Sequence, residues 1–134
     1  LDSKKFYEAL DAALLQAEKV NERLIKFKAE NGIETINANH IMYSEAHDHY
    51  QYVMLNDRRQ IKVRNTVTEL LTTLMRKGGF VRVGSAYIVN LRNVKNVSTY
   101  KVELYNDMSI PIPRGKHTEI KKAFWDYQYE GQED

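Results

Sequence analysis

The 134-residue chain has no cysteine. Disulfides and thiolate zinc centres are therefore excluded, and a reducing, cytoplasmic setting is the expected compartment. Also missing is any apolar run near the ~20 residues that span a bilayer, or a start patterned like a secretory signal, so no membrane association is expected. Nothing in the chain forms a Gly-rich phosphate loop, a nucleophile elbow or a Cys–His pair. Neither enzymatic activity nor a cofactor is expected on those grounds. Proline occurs only at positions 111 and 113. The net charge of +2 is too near balance to name a partner.

What is present is uneven. Residues 56–122 carry fourteen basic and five acidic side chains, net +9, between flanks of −3 (residues 1–55) and −4 (residues 123–134). A basic block between acidic ends suits a protein that meets phosphates, although a solvated basic face is the plain alternative. The length allows one modest core and an appended helix.

From Ser3 to about Glu30 there is no Gly or Pro, and Phe6, Leu10, Ala13, Ala17, Val20, Leu24 and Phe27 recur in alternating steps of four and three. That heptad seam predicts a helix about 42 Å long, capped by Asp2 or Ser3 and stopped at Asn31-Gly32, with a second copy or another domain as partner. Residues 33–39 (IETINAN) read as polar and turn-like. His40–Ser44 is expected as a short strand, 45–48 as a loop, His49–Leu55 as an alternating strand, Asn56-Asp57 as a turn and Gln60–Arg64 as the returning strand. Thr66-Val67-Thr68-Glu69 fits a capping box opening a helix with Leu70, Leu71, Leu74 and Met75 inward, closed by Gly78. Strands at 94–100, 101–105 and 108–113 follow. The two prolines put the last of them at an edge, before a short helix from His117 to about Tyr127.

Between these lies FVRVGSAYIVN, residues 80–90, a strand of β-formers interrupted at Gly84-Ser85, where a bulge or bend would re-aim it. It carries a cation at Arg82, a hydroxyl at Ser85 and an amide at Asn90. A strand serving only a core needs none of them.

Three blocks, INANHIMYSEAHDHY (36–50), FVRVGSAYIVNLRNV (80–94) and SIPIPRGKHTEI (109–120), together resemble the LytTR family of bacterial DNA-binding domains over about residues 36–125. The resemblance implies a mostly β fold with minor α: small antiparallel sheets with one packed helix, preceded by the long N-terminal helix. The expected division is 1–32 as linker or receiver end with possible dimerisation, 33–127 as the DNA-binding domain and 128–134 as an acidic tail. The chain departs from the family in lacking the longer opening hairpin. By the same resemblance the chain is the output part of a two-component response regulator that binds duplex DNA at imperfect direct repeats. A receiver domain and a sensor kinase would then stand upstream, and the N-terminal helix would pair two copies.

The residues that match the family's DNA-contacting loops are His49, Ser85 and Arg114. Arg114 suits a bidentate contact to guanine, while His49 and Ser85 suit base edges or backbone oxygens. Gly84, where many members carry a polar side chain, weakens base reading at the central loop. Arg82, Arg92, Lys95 and Lys116 are read as phosphate contacts that position without specifying. Three rivals are weaker. His47-x-His49, with His40, Glu45 and Asp48 nearby, is a possible metal site, since residues two apart on a strand share a face, but it lacks a further ligand cluster. Tyr43, Tyr50, Tyr52, Tyr87 and Tyr100 could stack on single-stranded bases, although aromatics on alternating strands usually serve a core. The basic block could instead dock an acidic protein.

Overall fold

The computed structural model describes residues 10, 23–30 and 32–130. Alternation governs its first strand: in β1 (Leu24–Ala29) Ile25 and Phe27 are buried while Lys26 and Lys28 are exposed. This period of two makes a strand. It pairs antiparallel with β2 (Gly32–Asn37), from Ala29 opposite Gly32 to Leu24 opposite Asn37. Two expectations are thereby corrected. The heptad reading fails from Leu24 to Glu30, because residues three apart also fall in a stretch whose neighbours alternate. The polar 33–39 segment is mostly strand, polar because Ile33, Glu34 and Thr35 on an edge all face solvent and only Ile36 is buried. The opening hairpin, thought missing, is present. The expected helix over residues 3–22, and the pairing through it, lies outside the described residues apart from Leu10.

A meander follows: β3 (Ile41–His47), β4 (Tyr50–Leu55) and β5 (Gln60–Val63). β3 runs three residues beyond its expected end, and the supposed 45–48 loop shrinks to a tight turn. Helix α1 (Val67–Lys77) comes next. The FVRVGSAYIVN stretch then proves to be two antiparallel strands, β6 (Phe80–Val83) and β7 (Tyr87–Asn90), so Gly84-Ser85 reverses the chain where only a bend was expected. β8 (Val94–Val97), β9 (Lys101–Leu104) and β10 (Ser109–Pro111) make a second sheet, with Pro111 on its edge, and α2 (His117–Glu130) closes the fold. The larger sheet has the order β2-β1-β5-β4-β3-β7-β6 and the smaller β10-β9-β8. None of the described helices is long and apolar enough to cross a membrane.

Each face of the larger sheet has its own core. Phe27, Ile36, Ile41, Val53, Leu55, Val63, Phe80 and Ile88 pack with Leu70 and Leu74 of α1. On the other face Tyr43, Val83 and Val89 meet Val94, Val102, Leu104 and Ile110 of the small sheet and Ile120 of α2. A register shift in β3 between Ile41 and Tyr43 turns both Met42 and Tyr43 toward the second core. α1 is capped at its start by Thr66, whose Oγ accepts the Glu69 N–H at 3.1 Å. The reciprocal half of the box is replaced, because the Glu69 carboxylate accepts from Asn65 Nδ2. Met75, expected inward, is 57% exposed. Full burial of Leu70 and Leu74 stabilises by about 1.5–3 kcal/mol each.

Candidate nucleic-acid interface

An antiparallel meander sends successive turns to opposite ends of a sheet, so strand direction decides which turns share an end. Glu45 is opposite Tyr87, and the Ala46 N–H donates to the Ala86 carbonyl at 2.7 Å. The β3–β4 and β6–β7 turns therefore end side by side. The third loop, between β10 and α2, joins them through packing. Gly84 has φ +70° and lies so near Pro113 that a Cβ there would fall 3.1 Å from Pro113 Cγ. His49, Ser85 and Arg114, one from each loop, are all exposed at this shared end.

Each loop has its own local cause. Between the paired residues His47 and Tyr50, Asp48 (φ +50°) and His49 (φ +70°) are both left-handed, the pattern of a two-residue type I′ hairpin turn. Asp and His tolerate that region better than most residues but at a cost of about 1–2 kcal/mol each. The His47 Nε2 to Asp48 Oδ2 contact of 3.3 Å braces the turn. At the third loop the Lys116 N–H donates to the Pro113 carbonyl at 3.1 Å, and Gly115 has φ +84°. Positive φ at the third residue is the type II pattern, which places Arg114 at the outward corner after proline.

The basic residues divide. Arg82 donates from Nε to the Gly84 carbonyl (3.1 Å) and from an Nη to the Ser85 carbonyl (3.2 Å), clamping its own turn. Lys116, 3.8 Å from Glu119, lines a depression of about 540 Å³ together with Arg82, Ser85 and Pro113. Both thus stand beside the three loops. Arg92 and Lys95 do not. Arg92 is in the single 3-10 turn after β7 (Leu91–Asn93), at the opposite end of that strand, and Lys95 borders a depression with Glu103 and Asp107. The reading of Asn90 also changes. Its side chain is buried, donates to the Ile41 carbonyl at 2.8 Å and to the Ala38 carbonyl at 3.4 Å, and accepts the Arg92 N–H. It is a core latch, and the central stretch owes two of its three polar residues to structure.

His49 stands in a turn, so the same-strand premise behind the His47-x-His49 metal reading does not apply. Among the described residues there is no group of three or more His, Cys, Asp or Glu suited to a metal. Of the tyrosines, Tyr43 is buried, and the Tyr87 hydroxyl donates to Glu45 Oε1 at 3.1 Å. Burial foremost, then the Glu45 charge, raises the Tyr43 pKa, and burial, then the bond to Glu45, raises that of Tyr87. Neither is poised to ionise near neutrality. Tyr50 and Tyr52 are half-buried on the outer side of β4, and Tyr100 is exposed.

The sequence missed the tightness of the His49 turn, the Gly84–Pro113 contact and the inward task of Arg82. Only the first had a signal, in an Asp-His pair between strands.

The family model described as "LytTr DNA-binding domain" matches residues 31–125. Among solved structures, the LytTr DNA-binding domain of a putative methyl-accepting/DNA response regulator from Bacillus cereus is similar, with a TM-score of 0.63 at 22% sequence identity. The match covers 75% of this chain and 95% of that one. No curated protein matches.

Proposed function

From its membership of the LytTR DNA-binding domain family, to which this chain belongs, we propose that the protein binds duplex DNA sequence-specifically through loops and regulates transcription. The observation that carries this reading is the convergence of three exposed loops, bearing His49, Ser85 and Arg114, at one end of the larger sheet. Their sheets hold them stiff, so a guanidinium, an imidazole and a hydroxyl can meet base edges in adjacent major grooves without prior ordering. Arg114 reads guanine, while His49 and Ser85 take base edges or phosphate oxygens. Lys116 and the remaining donors of Arg82 neutralise phosphates beside them. Arg92 and Lys95 stay off the duplex.

In this reading the chain is the cytoplasmic output part of a two-component response regulator, driven by a receiver domain and sensor kinase. Two copies, paired through the N-terminal segment, occupy imperfect direct repeats on bent DNA, and linkage of two weak sites raises avidity. The test is selection from a random duplex pool, followed by titration of the enriched sequence against a scrambled one over 50–200 mM salt. Preference for the enriched duplex with a steep inverse salt dependence is expected. Equal weak binding to both, or capture of an acidic protein without duplex affinity, would overturn it.

A further inference from the structure

The outer side of the larger sheet next to the His49 turn carries a basic strip that the three loops do not use. Ala29 pairs with Val63, and the Arg64 N–H donates to the Lys28 carbonyl at 3.0 Å, so Lys28 and Arg64 are cross-strand neighbours. Phe27 and Val63 point into the core, which turns Lys28 and Arg64 outward together. Like charges set opposite each other destabilise a sheet, and neither side chain has an ion-pair partner among the described residues. Beside them Lys62 Nζ lies 4.1 Å from the centre of the Tyr50 ring and 3.8 Å from Glu30 Oε1. Lys26 extends the same exposed side.

Position decides what this strip is for. Across the larger sheet the order is β1, β5, β4, β3, β7, β6, with the His49 turn joining β4 to β3 and the Ser85 turn joining β7 to β6. The two turns thus stand in a row, and the strip on β1 and β5 lies outboard of His49. Tyr50, beneath Lys62, directly follows His49 in the chain. Two strand spacings, about 10 Å, separate the strip from the turn. At about 3.4 Å per base pair that is roughly three base pairs of duplex.

We propose that Lys28, Arg64 and Lys62 seat the sugar-phosphate backbone of the duplex about three base pairs beyond the His49 contact, lengthening the footprint on that side only. The inference rests on the DNA-binding reading above and adds to it a sequence-independent flank contact. Phosphate relieves the repulsion between Lys28 and Arg64 and releases counterions.

The test uses the intact chain and its pool-selected duplex, whole or trimmed by three base pairs at either end. The double variant K28Q/R64Q should bind the whole duplex about ten-fold more weakly than wild type, with the slope of log affinity against log salt reduced by about 2. Trimming one particular end should weaken wild type, by less than the double substitution because only the outer of two copies loses its flank, and leave the variant unaffected, whereas trimming the other end should affect both alike. A variant that matches wild type on the whole duplex, or loses as much on the trimmed duplex as on the whole one, overturns the flank contact while specific binding by wild type stands. Absence of specific binding by wild type overturns the underlying reading as well. Thermal unfolding of the variant at or above the wild-type temperature, as relief of the Lys28–Arg64 repulsion requires, separates lost contacts from lost fold.

Discussion

The two ends of the larger sheet dispose their polar groups differently. At the end that gathers the three loops the turns are exposed, left-handed at Asp48, His49, Gly84 and Gly115, as Arg58 is at the other end, and carry an imidazole, a hydroxyl and a guanidinium. At the other end polar side chains bond to the chain itself, buried at Asn90 and exposed at the Asp57–Arg59 pair. Asn90 and Asn93 both donate to the Ile41 carbonyl, and Asp57 accepts from Arg59 through backbone (3.0 Å) and side chain (2.8 Å). Those bonds from Arg59 hold the Asp57 carboxyl below its ordinary range. At one end amides and a carboxylate bond to the chain itself, whereas at the other the side chains of His49, Ser85 and Arg114 stand exposed.

Substitutions can sharpen or break this contrast. Leu74→Asp, in the core that supports both ends, should unfold the domain, with loss of more than about 4 kcal/mol, because a carboxylate would be buried unpaired. A chemical denaturation curve checks it, and a folded, inactive product would give α1 a functional role. Asn90→Ala should remove about 1–3 kcal/mol of stability by deleting the bonds of a buried amide to the Ile41 and Ala38 carbonyls and to the Arg92 N–H, although the two carbonyls keep Asn93 and the Ile41 N–H as donors. Duplex affinity of the fraction that stays folded should be unchanged. Arg114→Ala should do the reverse, costing about 1–3 kcal/mol of specific binding with the melting temperature nearly unaltered. If the melting temperature falls instead, the two ends are not divided as described.

His49→Gly is a finer probe. It relieves the left-handed strain, offset in part by glycine's larger unfolded-state entropy, so stability should rise by less than about 1 kcal/mol while sequence preference falls. Calorimetry and competition binding read the two effects separately. The smallest effect is alkaline. Tyr43 and Tyr87 have pKa values raised above the ordinary 10.0 in the folded state. Their neutral forms therefore contribute stability that is complete below about pH 10 and declines as pH rises through the folded values. A pH series of melting temperatures should be flat with respect to these groups near neutrality and fall at the alkaline limit, and Tyr87→Phe should shrink that fall.

The helix from Thr66, the β4–β5 hairpin and the proline edge were legible because each has a local cause: a cap, a turn pair, a missing N–H. The three candidate residues His49, Ser85 and Arg114 came only from resemblance to a family, since nothing local distinguishes Asp48-His49 from Asn106-Asp107 as a turn. Which end a turn occupies depends on strand direction and pairing, and those are long-range. The opening hairpin was misread for a related reason. Leu24, Ile25 and Phe27 satisfy a helical spacing and a strand alternation alike, and the choice is made by Ile36 across the pair. Arg82, Asn90 and Lys95 show the limit most plainly, because charge and polarity in the chain carry no mark of whether the partner is a carbonyl, a carboxylate or a phosphate.

The shift at Met42 has a bearing on how the protein could evolve or be engineered. β3 leads straight from that irregularity into the His49 turn, and side chains along a strand alternate. Because Met42 is the extra residue of that irregularity, deleting it would restore plain alternation, with Ile41 toward the first core and Tyr43 toward the second, and would leave Glu45, His47 and the His49 turn in their present register. Met42 is therefore the one place in β3 where the chain can lose a residue without re-aiming the turn ahead of it, whereas a deletion at Tyr43, Ser44 or beyond would have to be absorbed by this same slack.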